Sequence, residues 1–373
     1  MIIGILKEIK EHENRVSMTP AGVEILVGHG HTVLVEQGAG RSSGFEDATY
    51  DTAGATLVAR PEEIFSTAEL LMHVKEPQPS EYEYLREDQI VFTYFHFAAY
   101  EALTQAFIQS KAIALAYETI EDSQGRLPLL MPMSEVAGRM AVQEVAKYLE
   151  RTQGGRGILL GGVAGVAPAL VLVLGGGTVG TQAALMACGL GAQVYLLENN
   201  LDRLRALSTI MPKNCIPLMG SPAMIREKIS QADAVIGAVL LPGAKAPKLV
   251  SREMIRSMKP GAVVVDVAID QGGCFETSKP TTHDDPVYEV EGVIHYCVSN
   301  MPGAVPITST MALTNATLPY VLAIANGGLL EAVREHPGMQ RGLNIVRGHV
   351  TCKGVAEAFD LDYTPVEKAF YAV

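Results

Sequence analysis

Along this chain, short and almost continuous apolar runs alternate with longer stretches in which apolar residues recur at helical spacing. The runs IIGIL (2–6), HTVLVE (31–36), LLMHVK (70–75), IVFTYFH (90–96) and AIALAYE (112–118) read as strands buried on both faces. A helix is expected over Ser134–Glu150, with Ser134 as its N-cap. A glycine-rich stretch, TQGGRGILLGGVAGVAP, leads into a second series: LVLVLG (170–175), QVYLLE (193–198), DAVIGAV (233–239), AVVVDVAI (262–269) and VIHYC (293–297). Strands alternating with helices specify a parallel sheet, and two series specify two doubly wound α/β domains. The tail beyond residue 305 reads as mostly helical. It is short for a domain of its own, so it is expected to return to the first. The expected domains are 1–130 with 305–373, and 131–304.

Composition narrows the function classes. A length of 373 residues suits two domains, and 48% apolar with 19% charged residues is a globular balance. The net charge of −12 argues against nucleic acid and against an anionic membrane surface. The 5 cysteines form no CxxC pair, so neither a disulfide framework nor a metal site is suggested, and a reduced cytoplasm fits. The N-terminal apolar run is too short for a signal peptide. Between Gly157 and Leu197 no residue is charged, as in a membrane span. Pro168 and clustered glycines interrupt that stretch, however, and it reads instead as a buried β-α-β unit.

That unit carries the first chemical signal. The strand ending at 174 runs into GGGTVG, which fits G-x-G-x-x-G as Gly175, Gly177 and Gly180. A helical stretch containing Thr178 and Val179 follows, and the next strand closes on Glu198. In this context Gly175 makes the tight turn, Gly177 admits a pyrophosphate and Gly180 lets helix and strand pack closely. The helix N-terminus supplies N–H donors to the phosphates. Glu198 can accept from both adenosine ribose hydroxyls and would repel a 2′-phosphate, which favours NAD over NADP. Arg203 opposes that repulsion in part, while Asn199 offers no phosphate partner.

The ends of the other strands carry the second signal, because ligands of open parallel sheets bind beyond the carboxyl ends. LLMHVKEP delivers Lys75, VFTYFHF delivers His96, and VVVDVAIDQGG delivers Asp270. The loop after the first run carries Arg15. Taken singly, Lys75 and Arg15 have the bland reading of solvated charges, His96 of a core histidine and Asp270 of a helix cap. Together they are two cations, an acid/base and a carboxylate, a set suited to a small carboxylate substrate beside a nicotinamide.

At this point the chain resembles the alanine dehydrogenase family, which also includes the NAD-binding part of proton-translocating transhydrogenase. The resemblance runs nearly end to end. It is carried by GILKEIKEHENRVSMTPAGVEIL, VKEP, FHFAA, PLLMPMSEVAGRMA, RTQGGRGILLGGVAGVAP, VIGAVLLPGAKAPKLV, MKPGAVVVDVAIDQGGCFETSKPTT and NMPGAVPITSTMALTNATLPY. It implies two Rossmann-like domains, the first discontinuous and completed by the C-terminal segment. It also implies NAD-dependent deamination of L-alanine to pyruvate and ammonia, the reverse amination, and a cytoplasmic homohexamer with no membrane partner. Arg15 and Lys75 match the substrate-binding cations, and His96 and Asp270 match the catalytic pair. Ser134, Gly175, Gly177, Thr178, Val179, Gly180, Glu198, Arg203, Ser221, Val239, Leu240, Ile269, Asp270, Val298, Asn300 and Met301 match cofactor-contacting positions. The family usually has proline at Leu6, aspartate at Glu198 and lysine at Arg203, and an NNE-like run where this chain has EHEN.

Within that resemblance Arg15 is expected to clamp the alanine carboxylate through its planar fork, with Lys75 as a second positive charge. His96 moves the protons, Asp270 orients water or stabilises an iminium, and Tyr94 and Met133 wall the pocket. Two other readings remain. One is a transhydrogenase subunit, which needs no carboxylate clamp. The other is a non-catalytic NAD-sensing protein.

Overall fold

The structure is a computed structural model that describes residues 1–239 and 246–371. It divides into two compact units, Met1–Met133 with Gly303–Val373, and Ser134–Pro302. Fifteen strands are described in chain order. The first six are β1 (Ile2–Ile5), β2 (Thr32–Glu36), β3 (Thr56–Val58), β4 (Leu70–Met72), β5 (Ile90–Thr93) and β6 (Ile113–Ala116). The second unit holds β7 (Leu170–Leu174), β8 (Gln193–Glu198), β9 (Cys215–Met219), β10 (Ala234–Gly237), β11 (Val263–Asp266), β12 (Val287–Val290) and β13 (Val293–Tyr296). The chain then adds β14 (Leu343–Val346) and β15 (His349–Val350) to the first unit.

The first sheet has the order β15-β14-β6-β5-β4-β1-β2-β3, parallel from β6 to β3. Every residue of β4, β5 and β6 is buried, as the runs of Ile, Val, Leu and Phe require for strands covered on both faces. Each such side chain contributes about 1.5–3 kcal/mol when fully buried. The order reverses at β1 and β4: the chain winds outward through β2 and β3, then restarts on the other side of β1. The carboxyl ends of β1 and β4 are therefore a topological switch point, where such sheets bind ligands. The second sheet has the order β12-β13-β11-β10-β7-β8-β9 and reverses in the same way at β7 and β10. The α/β class with two doubly wound sheets is the architecture expected from the sequence.

Several local expectations are corrected. The tail is not simply helical, because β14 pairs antiparallel with β6 and β15 with β14. The helix expected from Ser134 spans Met131–Tyr148, so Ser134 lies inside it and does not cap it. The strands expected to reach Lys75 and His96 stop at Met72 and Thr93. The uncharged stretch 157–197 is a loop, β7, the helix Thr178–Gly189 and most of β8. Among the described residues the one helix long and apolar enough to cross a membrane is Pro306–Gly327. It contains Pro319, buries eight residues and packs on the helices Pro20–Gly28 and Leu329–Glu335.

Candidate active site

In the first unit the residues singled out from sequence follow successive carboxyl ends. Arg15 follows β1, Lys75 follows β4 and His96 follows β5. Arg15 is 2% exposed, the rare case of a buried guanidinium, and its partner explains it. Its Nε donates to Glu13 Oε1 at 2.7 Å and its Nη2 to Glu13 Oε2 at 2.5 Å. Its Nη1 contacts Met133 Sδ at 3.0 Å. One edge of the planar fork is thus held by Glu13. Glu13 also accepts from the Arg15 backbone N–H at 3.0 Å, which ties the loop to the side chain it carries.

Lys75 is fixed through its backbone. Its N–H donates to Glu8 Oε2 at 3.2 Å, and its carbonyl accepts from Thr93 Oγ1 at 2.9 Å. Lys10 lies over the Tyr100 ring at 5.5 Å and pairs with Glu76.

His96 sits three residues beyond β5 in the left-handed region, at φ 52° and ψ 38°. A non-glycine residue held there is strained, and such strain clusters at functional sites. Glu118, just beyond β6, holds the turn: its carboxylate accepts from the N–H of His96 at 2.7 Å and of Phe95 at 3.1 Å. The imidazole lies parallel to the Tyr94 ring, with centroids 6.1 Å apart and an interplanar angle of 7°. Tyr94 is buried, and its hydroxyl donates to the Leu129 carbonyl at 2.5 Å. The surroundings lower the His96 pKa, first by desolvation and then through the charges of Lys75, Lys10 and Arg15. The ring itself is exposed, so water screens part of the desolvation, and the three like charges carry the direction. The imidazole is neutral at pH 7 until an anion offsets those cations. Arg15 thus contacts Met133, His96 stacks on Tyr94, and the charges of Arg15 and Lys75 act on His96. Glu8, Glu13 and Glu118, which hold them, were not singled out. A glutamate in a loop looks like a solvated charge in sequence, and only the fold shows what it accepts.

In the second unit the cofactor candidates line the carboxyl ends of the parallel strands. Gly175 follows β7 at φ 101°, a conformation that L side chains rarely adopt. A Cβ on Gly180 would stand 1.8 Å from the Gly175 carbonyl oxygen, whereas one on Gly177 would meet nothing within 4 Å. The helix Thr178–Gly189, which includes Val179, has no side-chain hydrogen bond at its N-cap, so no side chain satisfies its first N–H groups. This is the cradle a pyrophosphate needs. Glu198 closes β8, and its Oε2 accepts from the Gly176 N–H at 2.9 Å. Its Oε1 accepts from Asn199 and Asn200, each at 2.8 Å. Arg203 Nε donates to the Gly176 carbonyl at 2.7 Å and its Nη2 to Thr181 Oγ1 at 2.8 Å. Glu198 and Arg203, two of the departures from the family pattern, therefore brace the glycine loop. Ser221 follows β9 and caps the helix Pro222–Ile229, accepting from Met224 at 3.1 Å. Val239 follows β10, while Leu240 lies outside the described residues.

Ile269 and Asp270 sit on the short 3-10 helix Val267–Gln271 after β11. Buried Asp266 anchors that turn, accepting from Ala268, Cys274 and Ser278. Asp270 is exposed and Ile269 buried. Val298, Asn300 and Met301 follow β13, with Asn300 in the left-handed region at φ 59°. Ser134 is half-buried on its helix.

A glycine loop at a switch point, an acid closing the next strand and an uncapped helix N-terminus define a dinucleotide-binding α/β protein. Comparison with known proteins makes this specific. Residues 4–137 match the family described as alanine dehydrogenase/PNT, N-terminal domain, and residues 141–353 match its C-terminal domain. The chain belongs to this family. It is 54% identical over 370 residues to alanine dehydrogenase of Methanococcus maripaludis, covering 99% of each chain. Against alanine dehydrogenase of Bacillus subtilis it is 54% identical over 371 residues, 99% of this chain and 97% of that one. A solved L-alanine dehydrogenase superposes with a TM-score of 0.93 at 48% identity, covering 96% of this chain and 99% of the other. A transhydrogenase from Sinorhizobium meliloti gives 0.82 at 26% identity, covering 94% and 100%.

Proposed function

We propose that this chain is an NAD-dependent alanine dehydrogenase, oxidising L-alanine to pyruvate and ammonia and running the reverse amination. The observation that carries the reading is the trio Arg15, Lys75 and His96 at the carboxyl ends of β1, β4 and β5, two cations beside an acid/base. A subunit that only passes hydride between nucleotides has no use for it. The high identity to alanine dehydrogenases over the whole chain supports the same choice.

Arg15 and Lys75 bind the substrate carboxylate by charge-assisted hydrogen bonds. NAD, when bound, accepts the hydride from the alanine Cα. The resulting iminium carbon takes up water, and the carbinolamine collapses to pyruvate and ammonia. The substrate ammonium gives up one proton to solvent before the hydride leaves; His96 then takes the proton from the attacking water, returns it to the departing nitrogen and takes the hydroxyl proton as the carbonyl forms. A substrate carboxylate offsets the cations that hold the imidazole neutral, so substrate binding raises the His96 pKa toward the range of a general acid/base. Asp270 is assigned the water-orienting or iminium-stabilising role on the family resemblance. Tyr94 and Met133 limit the space beside the carboxylate. Ammonia-dependent oxidation of NADH with pyruvate tests the reading.

NAD is the cofactor, in preference to NADP. Glu198 stands at the glycine loop, where a 2′-phosphate meets its charge. The double variant Glu198→Gly with Asn199→Arg removes that charge and adds a bidentate donor. It also frees the Gly176 N–H for a phosphate oxygen. Activity with NADP is expected to rise and activity with NAD to fall. Equal use of both cofactors by the parent protein contradicts the assignment.

The enzyme works in the cytoplasm as a homohexamer. In the second unit Leu159, Val163 and Val166 are 66%, 61% and 62% exposed on one loop, an apolar surface suited to a second copy of this chain. Mass photometry is expected to show six chains, and a stable active monomer rejects this.

A further inference from the structure

One buried histidine is outside the chemistry just described. His73 follows β4, two residues before Lys75, and is 2% exposed. Its Nδ1 lies 3.3 Å from Glu8 Oε1. The same Glu8 oxygen accepts from the Val74 N–H at 2.6 Å, and Glu8 Oε2 accepts from the Lys75 N–H at 3.2 Å. The Glu8 side chain is 3% exposed. One buried carboxylate therefore joins the histidine ring to the backbone of the substrate-binding lysine. On the far side, His73 Nε2 has no hydrogen-bond partner among the described residues, and Glu81 Oε1 stands 3.9 Å away.

We infer that His73 and Glu8 form a buried positioning pair that sets the backbone of Lys75, and through it the grip on the substrate carboxylate. This rests on the alanine dehydrogenase reading for the meaning of Lys75. The geometry favours the cationic imidazole. A neutral ring can keep its Nδ1–H bond to Glu8, but it gives up the positive charge that offsets the buried carboxylates around it, and burying an uncompensated carboxylate is costly. The groups facing His73 are carboxylates on three elements. They are Glu8 after β1, Glu36 at the end of β2 and Glu81 on the 3-10 helix Pro79–Tyr84. Lys7 approaches this group through its backbone N–H, which donates to Glu36 Oε2 at 2.8 Å. The Phe65 ring stands 6.4 Å from the imidazole.

Desolvation alone would lower the pKa of such a ring, but the hydrogen bond to Glu8 and the charges of Glu81, Glu8 and Glu36 outweigh it and lift the value to about 9. A histidine whose pKa is raised on folding stabilises fully below its unfolded value of about 6.5. That contribution is lost as pH climbs through the folded value of about 9. Positioning of Lys75 is therefore intact at neutral pH and fails in the alkaline range.

The test compares the parent protein with His73→Gln and Glu8→Gln. In steady-state assays the KM for pyruvate is expected to rise about 10- to 100-fold in both, the scale of misplacing a binding group by about an ångström, with kcat changed far less. NADH affinity, from fluorescence titration, should not move. In the parent, kcat/KM for pyruvate should fall above pH 9, and His73→Gln should lose that limb. Amide hydrogen exchange across residues 72–78 reads the positioning without any turnover. It should be faster in both variants than in the parent at the same pH. This readout separates failure of the inference from failure of the functional reading. If pyruvate and ammonia give no turnover in the parent, exchange still tests the pair. A folded His73→Gln with unchanged KM, unchanged alkaline limb and unchanged exchange overturns the inference. So does a lowered melting temperature with none of these changes, the mark of a purely structural histidine. If neither variant folds, the parent alone decides through the pH dependence of oxamate binding in the presence of NADH. Weakening between pH 8 and 10 supports the pair, and constant affinity across that range rejects it.

Discussion

His96→Ala is expected to fold, bind NADH with parental affinity and lose at least ~10²-fold in turnover, the usual effect of removing a general acid/base. Folding should survive because the imidazole is exposed and its turn is held through the backbone. Glu118 accepts from the N–H groups of Phe95 and His96, which alanine retains. The left-handed conformation at φ 52° adds a modest cost, since histidine adopts it more readily than alanine. The distinguishing signature is proton uptake. The charges of Lys75, Lys10 and Arg15 keep the free imidazole neutral, and a bound carboxylate relieves them. Binding of oxamate to the NADH-bound parent should therefore take up a fraction of a proton below pH 7, measured by calorimetry in buffers of different ionisation enthalpy. The variant should take up none. Near-parental turnover in the variant makes His96 a structural residue.

Arg15→Ala has the second large effect, and it has two separable parts. The substrate loses charge-assisted hydrogen bonds of about 1.5–3 kcal/mol, which corresponds to a rise of about 10- to 150-fold in the KM for pyruvate. The protein also loses stability, because the Glu13 side chain, 0% exposed, is left without the guanidinium that pairs with it. Breaking a buried ion pair from one side costs about 3–5 kcal/mol. The double variant Arg15→Ala with Glu13→Ala removes the stranded charge. Its melting temperature should recover most of the loss, while its KM should stay high. NADH titration is the control for both. If NADH affinity collapses in step with KM, Arg15 serves the nucleotide and the substrate assignment fails.

What the sequence made legible depended on physical scale. Strands such as IVFT and IALA are buried throughout, so the chain must spell them as unbroken apolar runs. The glycine loop was legible because a Cβ at Gly180 would overlap the Gly175 carbonyl, and only one residue type meets that demand. The strands that escaped notice carry weaker spelling. Three-residue β3 reads TLV with one buried position, half-exposed β9 reads CIPLM, β12 is an antiparallel edge, and β14 and β15 are short additions to the first sheet. The candidate residues of each unit divide in the same way. Arg15, Lys75, His96 and Asp270 stand at strand ends, where charge after an apolar run draws notice. Glu8, Glu13, Glu118 and His73 hold three of them in place through hydrogen bonds spanning 2 to 67 positions in sequence. No local pattern encodes such pairs. The left-handed turn at His96 was invisible for the same reason, since its cause is a glutamate beyond the next strand.

The most direct measurement of the central claim follows NADH absorbance with the purified protein, pyruvate and ammonium, omitting each component in turn. The account predicts that NADH is consumed only when pyruvate and ammonium are both present, with one L-alanine formed for each NADH oxidised. NADH that binds but is not consumed, or that passes its hydride to a second nucleotide without pyruvate, contradicts it.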